Sequence, residues 1–131
     1  MDTPSITRIE SALAIRLPDA YRQMMLSGKI ERLGDCGLFT DPEVIIERTR
    51  EHRAGYAGAP KWSDGVVYIG DQEDACGFAL DCKTGVVVQS DHGNLVEAPM
   101  ARYETIDALV AELASDLEKP AQSRPWWKFW T

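Results

Sequence analysis

Three short apolar runs lie within residues 66–88, VVYIGDQEDACGFALDCKTGVVV. They cover residues 66–69, 78–80 and 86–88, and they are rich in the β-branched and aromatic residues that favour strands. The polar segments between them are short enough for hairpins that join neighbouring antiparallel strands. This part of the chain therefore predicts a β-meander.

Helical patterns flank the meander on both sides. Apolar residues recur every three to four positions, which is typical of helices that bury one face: Ile6, Ile9 and Leu13; Tyr21, Met24 and Met25; Ile45, Ile46 and Thr49; and Ile106, Leu109, Val110, Leu113 and Leu117. A further strand is predicted at 100–103. We expect an α+β fold in which N-terminal and C-terminal helices cover one face of the antiparallel sheet. Residues 1–119 are predicted to form a single domain, and residues 120–131 an aromatic C-terminal tail.

The composition is that of an ordinary folded domain. The chain has 131 residues, of which 44% are hydrophobic and 27% charged, and this length suits one core rather than two. The formal net charge of −7 argues against a protein that neutralises phosphates, so nucleic acid is not an expected partner. Three cysteines without a CxxC pair, and the lack of a signal-like or bilayer-length apolar run, favour a cytoplasmic location.

The charge is distributed unevenly along the chain. Residues 1–63 contain nine acidic and nine basic side chains, whereas residues 64–118 contain twelve acidic and two basic ones. Residues 119–131 contain three basic side chains and no acidic one. The second half of the domain therefore has a balance of −10, and a partner guided by charge is expected to meet it there.

Five carboxylates on the predicted loops of the meander form the first candidate site, and they are Asp71, Glu73, Asp74, Asp81 and Asp91. Oxygen-rich loops can hold calcium or magnesium. The spacing lacks the alternating ligands and central glycine of an EF-hand loop, so no metal or cofactor is assigned. Two interpretations stay open, namely solvated turn residues or an anionic surface that binds a basic partner.

A nucleophilic cysteine is the second candidate, because Cys76, Cys82, Asp91 and His92 could form a thiol–imidazole pair. A nucleophile needs a lowered thiol pKa, and the neighbouring carboxylates are expected to raise it. Motifs of catalysis such as GxSxG, HExxH or a phosphate-binding glycine loop do not occur. We assign no catalytic residue and interpret both cysteines as small apolar residues in or near the sheet.

His52 falls in a basic helical segment. Arg48, Arg50 and Arg53 surround it in the sequence. Such a run is typical of a solvated helix face, so we expect the imidazole to be in contact with water.

The tail contains Trp126, Trp127 and Trp130, three of the four tryptophans in the chain. Each can bury about 150–250 Å² and is costly to leave in water. The tail is therefore expected to fold back on the domain, to bind a partner or a second copy, or to touch a membrane interface. Its shortness and cationic side chains give little anchoring in lipid, so a membrane is not among the expected partners.

Three segments follow one another in a recognisable order. Residues 9–28 combine a short helix, the Leu17-Pro18 step, a helix with an aromatic residue and Gly28. Residues 68–87 begin with a strand and the Gly70-Asp71 step, and continue with a strand that ends at Asp81, a turn glycine and another strand. Residues 105–117 form a closing amphipathic helix. In order and spacing, these segments resemble the SUKH superfamily, the Smi- and Knr-like domains.

The resemblance implies a non-enzymatic binding domain, and many such domains in bacteria are immunity proteins that neutralise a co-encoded toxin. We therefore expect a cytoplasmic immunity protein that binds a cognate toxin domain, with the five carboxylates and the three tail tryptophans as the partner-binding residues. The alternative is a regulatory scaffold that docks a cellular protein or its own copies through the tail. Neither function needs a cofactor.

Overall fold

The computed structural model describes residues 1–72, 76–91 and 93–118. Its helices are α1 (Thr3–Leu13), α2 (Asp19–Leu26), α3 (Lys29–Leu33), α4 (Pro42–Arg53) and α5 (Ile106–Glu118), with a short 3₁₀ turn at Tyr56–Gly58 between α4 and the sheet. Its strands are β1 (Val66–Gln72), β2 (Cys76–Asp81), β3 (Val87–Asp91) and β4 (Ala101–Tyr103).

The strands form one four-stranded antiparallel sheet in the order β1-β2-β3-β4. This is the predicted meander, so the expected α+β fold class is confirmed. Strands β1 and β2 are longer than predicted, because Asp71, Gln72 and Cys76 continue the ladder towards the connecting loop. The register shifts between Tyr68 and Gly70, where a β-bulge bends β1.

The N-terminal helices bury the faces that their spacing predicts. Asp2 caps α1, since its carboxylate accepts a hydrogen bond from the Ser5 N–H, and Pro4 occupies the first turn, where no backbone donor is needed. In α2, Tyr21 and Met25 are buried. The sequence pattern missed α3, which follows directly after α2 and is too short, at five residues, to show a helical period.

Asp41 caps α4 by accepting a hydrogen bond from the Glu43 N–H, as the Asp-Pro-Glu start suggests. The buried side of this helix comprises Ile45, Ile46, Thr49 and His52. The buried side of α4 therefore extends one turn further, to His52, than the apolar residues alone indicate.

The helices cover one face of the sheet, here called the inner face. Its side chains Val67, Ile69, Phe78, Leu80 and Val87 are buried in one cluster with residues from all five helices. The opposite face, here called the outer face, has a smaller cluster of buried residues: Trp62, Tyr68 and Ala79. Because side chains alternate along a strand, the sheet divides the molecule into a filled helical side and a thinly covered outer side.

The free edge of β1 is covered by two other parts of the chain. Beside the sheet, Phe39 donates its N–H to the Ile69 carbonyl at 2.9 Å, and Asp71 donates its N–H to the Gly37 carbonyl at 2.9 Å. One residue before these contacts along β1, the Tyr68 N–H donates to the Thr49 hydroxyl of α4 at 2.9 Å. The edge amides of β1 are thereby paired and closed to another strand.

Replacing Thr49 by Val is expected to lower the free energy of unfolding by about 1–3 kcal/mol, because the buried Tyr68 N–H loses its acceptor while the side-chain shape is kept. Urea denaturation measures this loss. Thr49→Ser retains the hydroxyl, and Thr40→Val changes an exposed threonine, so both controls should stay closer to the wild type. Equal stability of Thr49→Val and Thr40→Val would contradict a role for this hydrogen bond.

Candidate functional site: an open groove on the outer face of the sheet

The outer face of the sheet has one row of side chains that crosses all four strands. The register places Tyr68 opposite Ala79, Ala79 opposite Val88, and Val88 opposite Arg102. Val66 and Asp81 are paired one step further along β1 and β2. Ala79 is the smallest member of the row, so the face is lowest at the centre of the sheet.

A groove of about 320 Å³ lies over this low point, and we call it the outer groove. Its lining comprises Val66, Ala79, Asp81, Thr84, Val86, Val88, Leu95 and Arg102. Five of these residues are apolar, whereas Asp81, Thr84 and Arg102 supply polar groups. An apolar floor with a few polar groups is the usual composition of a binding cavity.

The loop after β3 raises one wall of the outer groove and adds exposed apolar surface. Leu95 lines the groove, while Val96 and Met100 are 78% and 55% exposed. On the polar side, Arg102 donates to the Glu104 carboxylate at 2.8 Å. Exposed apolar side chains mark an interaction surface when they join a contiguous apolar patch.

An aromatic cluster closes the outer face next to β1. Tyr68 stacks on Phe39 and on Trp62, with ring centroids 5.8 and 5.7 Å apart. The Trp62 indole N–H donates to the Gly93 carbonyl at 2.7 Å, which ties the loop after β3 to this cluster. The cluster is rigid support for the groove, because the wall residue Leu95 lies in the same loop and packs against it.

His52 is part of this cluster, so the expectation of a solvated imidazole is wrong. The residue is 2% exposed, and its ring centroid lies 4.7 Å from those of both Trp62 and Tyr68. Its Nδ1 donates to the Arg48 carbonyl at 2.9 Å. Position 52 follows Ile45 and Thr49 at helical spacing, and this period is the signal that the neighbouring arginines obscured.

The arginines around His52 do not share one environment either. Arg48 and Arg50 are exposed, whereas Arg53 is half-buried. Arg53 donates to the Leu13 carbonyl at 3.1 Å and to the Asp64 carbonyl at 2.6 Å. It therefore joins α4 to the end of α1 and to the turn before β1, a structural role rather than a solvated one.

Gly93 is held against His52 with no room for a side chain. A Cβ at position 93 would lie 2.6 Å from Nε2 of His52, and the glycine has φ +74°. We expect Gly93→Ala to lower the free energy of unfolding by about 1–3 kcal/mol through this overlap and through backbone strain. Gly85→Ala is the matched control, because Gly85 has φ +79° and no neighbouring atom within 4 Å of a Cβ.

Comparison of the two variants by chemical denaturation separates packing from backbone strain. Gly93→Ala should be the less stable of the two. If both lose the same stability, the close approach to His52 contributes nothing.

The register separates the predicted acidic residues into two groups. Asp71 lies opposite Gly77, and Asp91 lies opposite Cys76, so both are at one end of β2. Asp81 ends β2 at the other end of the strand, roughly 17 Å away at the usual rise per residue. The carboxylates therefore do not form one cluster, although Asp81 lines the outer groove.

The local contacts of these carboxylates differ. Asp71 accepts a hydrogen bond from the Tyr68 hydroxyl at 3.0 Å. Burial and the charge of Asp71 raise the pKa of Tyr68 above its usual value. Asp81 accepts the Lys83 N–H at 2.9 Å, as a turn residue commonly does.

The other predicted partner-binding residues, Glu73, Asp74, Trp126, Trp127 and Trp130, lie outside the described residues, as does His92. Within residues 1–72, 76–91 and 93–118, no three histidine, cysteine, aspartate or glutamate side chains are grouped as a metal site would require.

Cys82 follows β2 directly and packs against the core of the inner face. Burial, followed by the charge of Asp81, raises the pKa of the Cys82 thiol to about 12, although Arg53 opposes the shift. The thiolate is the reactive form of cysteine. Cys82 therefore has the environment of a packed apolar residue and not that of an activated nucleophile.

Alkylation of Cys82 by iodoacetamide at pH 8 is expected to be about a thousandfold slower in the folded protein than in urea, where the thiol returns to a pKa near 8.5. The folded-state rate should then rise about tenfold per pH unit up to about pH 11, since a raised pKa delays thiolate formation. Mass spectrometry of the Cys82 peptide follows this site alone. A rate that levels off below pH 10 would contradict the raised pKa.

Comparison with known proteins identifies no relative of this chain. The chain matches no family model, and no curated protein or solved structure is significantly similar to it. In the part of the chain that the structure describes, no helix has the length and apolar composition needed to cross a membrane.

Proposed function

We propose that the protein is a non-enzymatic binding domain that neutralises a cognate bacterial toxin domain by holding it against the outer face of the sheet. The observation that carries this proposal is the outer groove. The helices fill the inner face, whereas the outer face keeps an apolar groove. The exposed Val96 and Met100 lie in the same connection between β3 and β4 as the groove residue Leu95. An apolar centre with a polar rim is the usual anatomy of a protein interface.

The resemblance of residues 6–117 to the SUKH superfamily supports a toxin as the partner. Charge supports it further, because residues 64–105, which contain the whole sheet, have eight acidic and only two basic side chains. Acidic groups at both ends of β2 would speed the encounter with a basic surface and orient it. Inhibition by coverage of an active cleft needs no chemistry from this chain, and it fits a site with no activated nucleophile at Cys82.

The proposal is tested by expressing the protein with the toxin encoded beside it. Protection of the cells and a stoichiometric complex of the purified pair are the expected results. If another cellular protein is captured instead and the cells die, the regulatory-scaffold alternative replaces the immunity function.

The position of the interface is tested with the double variant Val96→Asp, Met100→Asp. It should weaken the complex by about tenfold to a hundredfold, because two exposed apolar contacts are replaced by charge. The side chains are exposed, so the fold should persist. Leu26→Asp changes a similarly exposed apolar residue of α2 in the helical layer and serves as the control.

Calorimetric titration of the toxin domain measures both variants. Unchanged affinity of the double variant, or an equal loss in Leu26→Asp, would remove the outer face as the binding surface.

A further inference from the structure

We propose that, in the absence of a partner, the outer groove is occupied by the aromatic segment of the same chain, residues 126–130. This inference concerns the free protein and does not depend on a toxin. If the proposed function also holds, the tail and the partner compete for one site.

The outer groove leaves apolar surface uncovered. Val66, Val86 and Val88 are only half-buried although they line it, and Val96 and Met100 are exposed in the connection that carries the groove residue Leu95. No second layer of described elements lies over this face, in contrast to the five helices on the inner face. A sheet face of this composition gains free energy from an apolar cover.

The tail has the complementary composition. Residues 126–130, WWKFW, contain four aromatic side chains, and each can bury about 150–250 Å². Arg124 and Lys128 accompany them, and residues 119–131 contain no acidic side chain. The cationic groups match the Asp81 carboxylate on the rim, while the Arg102 guanidinium that also lines the groove is paired with Glu104.

The tail is long enough to reach the groove. Helix α5 follows β4, whose Arg102 lines the groove, and it ends at Glu118. Trp126 is eight residues further along the chain, which corresponds to about 26 Å of extended backbone. The 13 residues of α5 carry the chain about 20 Å away from β4 along the helix axis. Passage around the sheet edge adds roughly 10 Å in depth, so the return to the groove takes about 22 Å, which the extended segment just covers. Pro120 and Pro125 favour extended backbone at the residues before them.

Size limits how much of the segment enters. The groove volume of about 320 Å³ lies at the low end of ligand-binding cavities, which span about 300–1,000 Å³. Part of the aromatic segment therefore fills the groove, and the remaining rings cover Val96 and Met100. Attachment to the same chain favours this arrangement over a second copy, since a short tether gives an effective concentration of about millimolar.

Methyl NMR of the full-length protein tests the proposal without a partner. Aromatic rings displace the signals of methyl groups that they cover. Val66, Val88 and Leu95 already pack against the Trp62 and Tyr68 cluster, so the tail should add a further upfield displacement to their methyl signals in the wild type. The triple variant Trp126→Ser, Trp127→Ser, Trp130→Ser should lose that displacement. The inner-face signals of Val67 and Leu80 should not move, and they report whether the fold is intact.

A second triple variant, with Phe at the same three positions, retains rings and should retain part of the displacement. Three results would overturn the proposal. Groove signals could be identical in the wild type and the Ser variant, the affected signals could lie on the helical face, or the displacement could grow with protein concentration, which would indicate binding to a second copy. None of these results depends on toxin binding, so the two proposals can fail separately.

Discussion

Tyr68 connects the two sides of the molecule, and most of the observed arrangement depends on how it is held. Its backbone N–H is bound to Thr49 of α4, so the helical layer is attached to the edge of β1. Its ring lies on the outer face among Phe39, His52 and Trp62. Position 77 must be glycine for this ring to fit, because a Cβ there would lie 2.6 Å from it. One residue therefore aligns α4, the sheet and the aromatic cluster.

This arrangement explains why the two faces of the sheet differ. Helix α4 reaches past the edge of β1 and places His52 beneath Trp62 and Tyr68, which fills the outer face near β1. Nothing comparable among the described residues covers the part of the face near Val88 and Arg102. The outer groove is the part of the outer face that these residues leave uncovered. It combines a rigid wall, tied down by the hydrogen bond from Trp62 to Gly93, with an exposed apolar border.

The acidic residues of the second half are spread over both ends of the sheet and over α5. Asp81 stands at the groove, whereas Asp71 and Asp91 lie at the far end of β2. Strong exposed charge acts over about a Debye length, roughly 8–10 Å, so the two ends act on different parts of an approaching surface. Apolar contact at the centre would then supply most of the affinity, and charge at the periphery would orient the partner, as commonly occurs in protein interfaces.

The periodic parts of the fold could be predicted from sequence. The strand runs of residues 66–88 and the helical stripes of α1, α4 and α5 are local consequences of chain geometry, and the structure contains them, except that Leu117 at the end of the α5 stripe is 37% exposed. Helix α3 was not found, because a single turn has no period to detect. Its formation depends on the burial of Ile30 in the core.

The site depends on contacts between residues distant in the chain, and local patterns do not contain them. Adjacent arginines suggested water around His52, but the packing of α4 on β1 decided its burial, since a helix face is defined by what it contacts. Five carboxylates are close in sequence, yet strand pairing sends Asp81 to one end of β2 and Asp71 to the other. Residue type and spacing alone are enough for the α+β class, the apolar stripes of the helices and the charge of each segment. Only the tertiary structure decided which face of the sheet stays open, because that follows from which residues the distant segments bring to cover it.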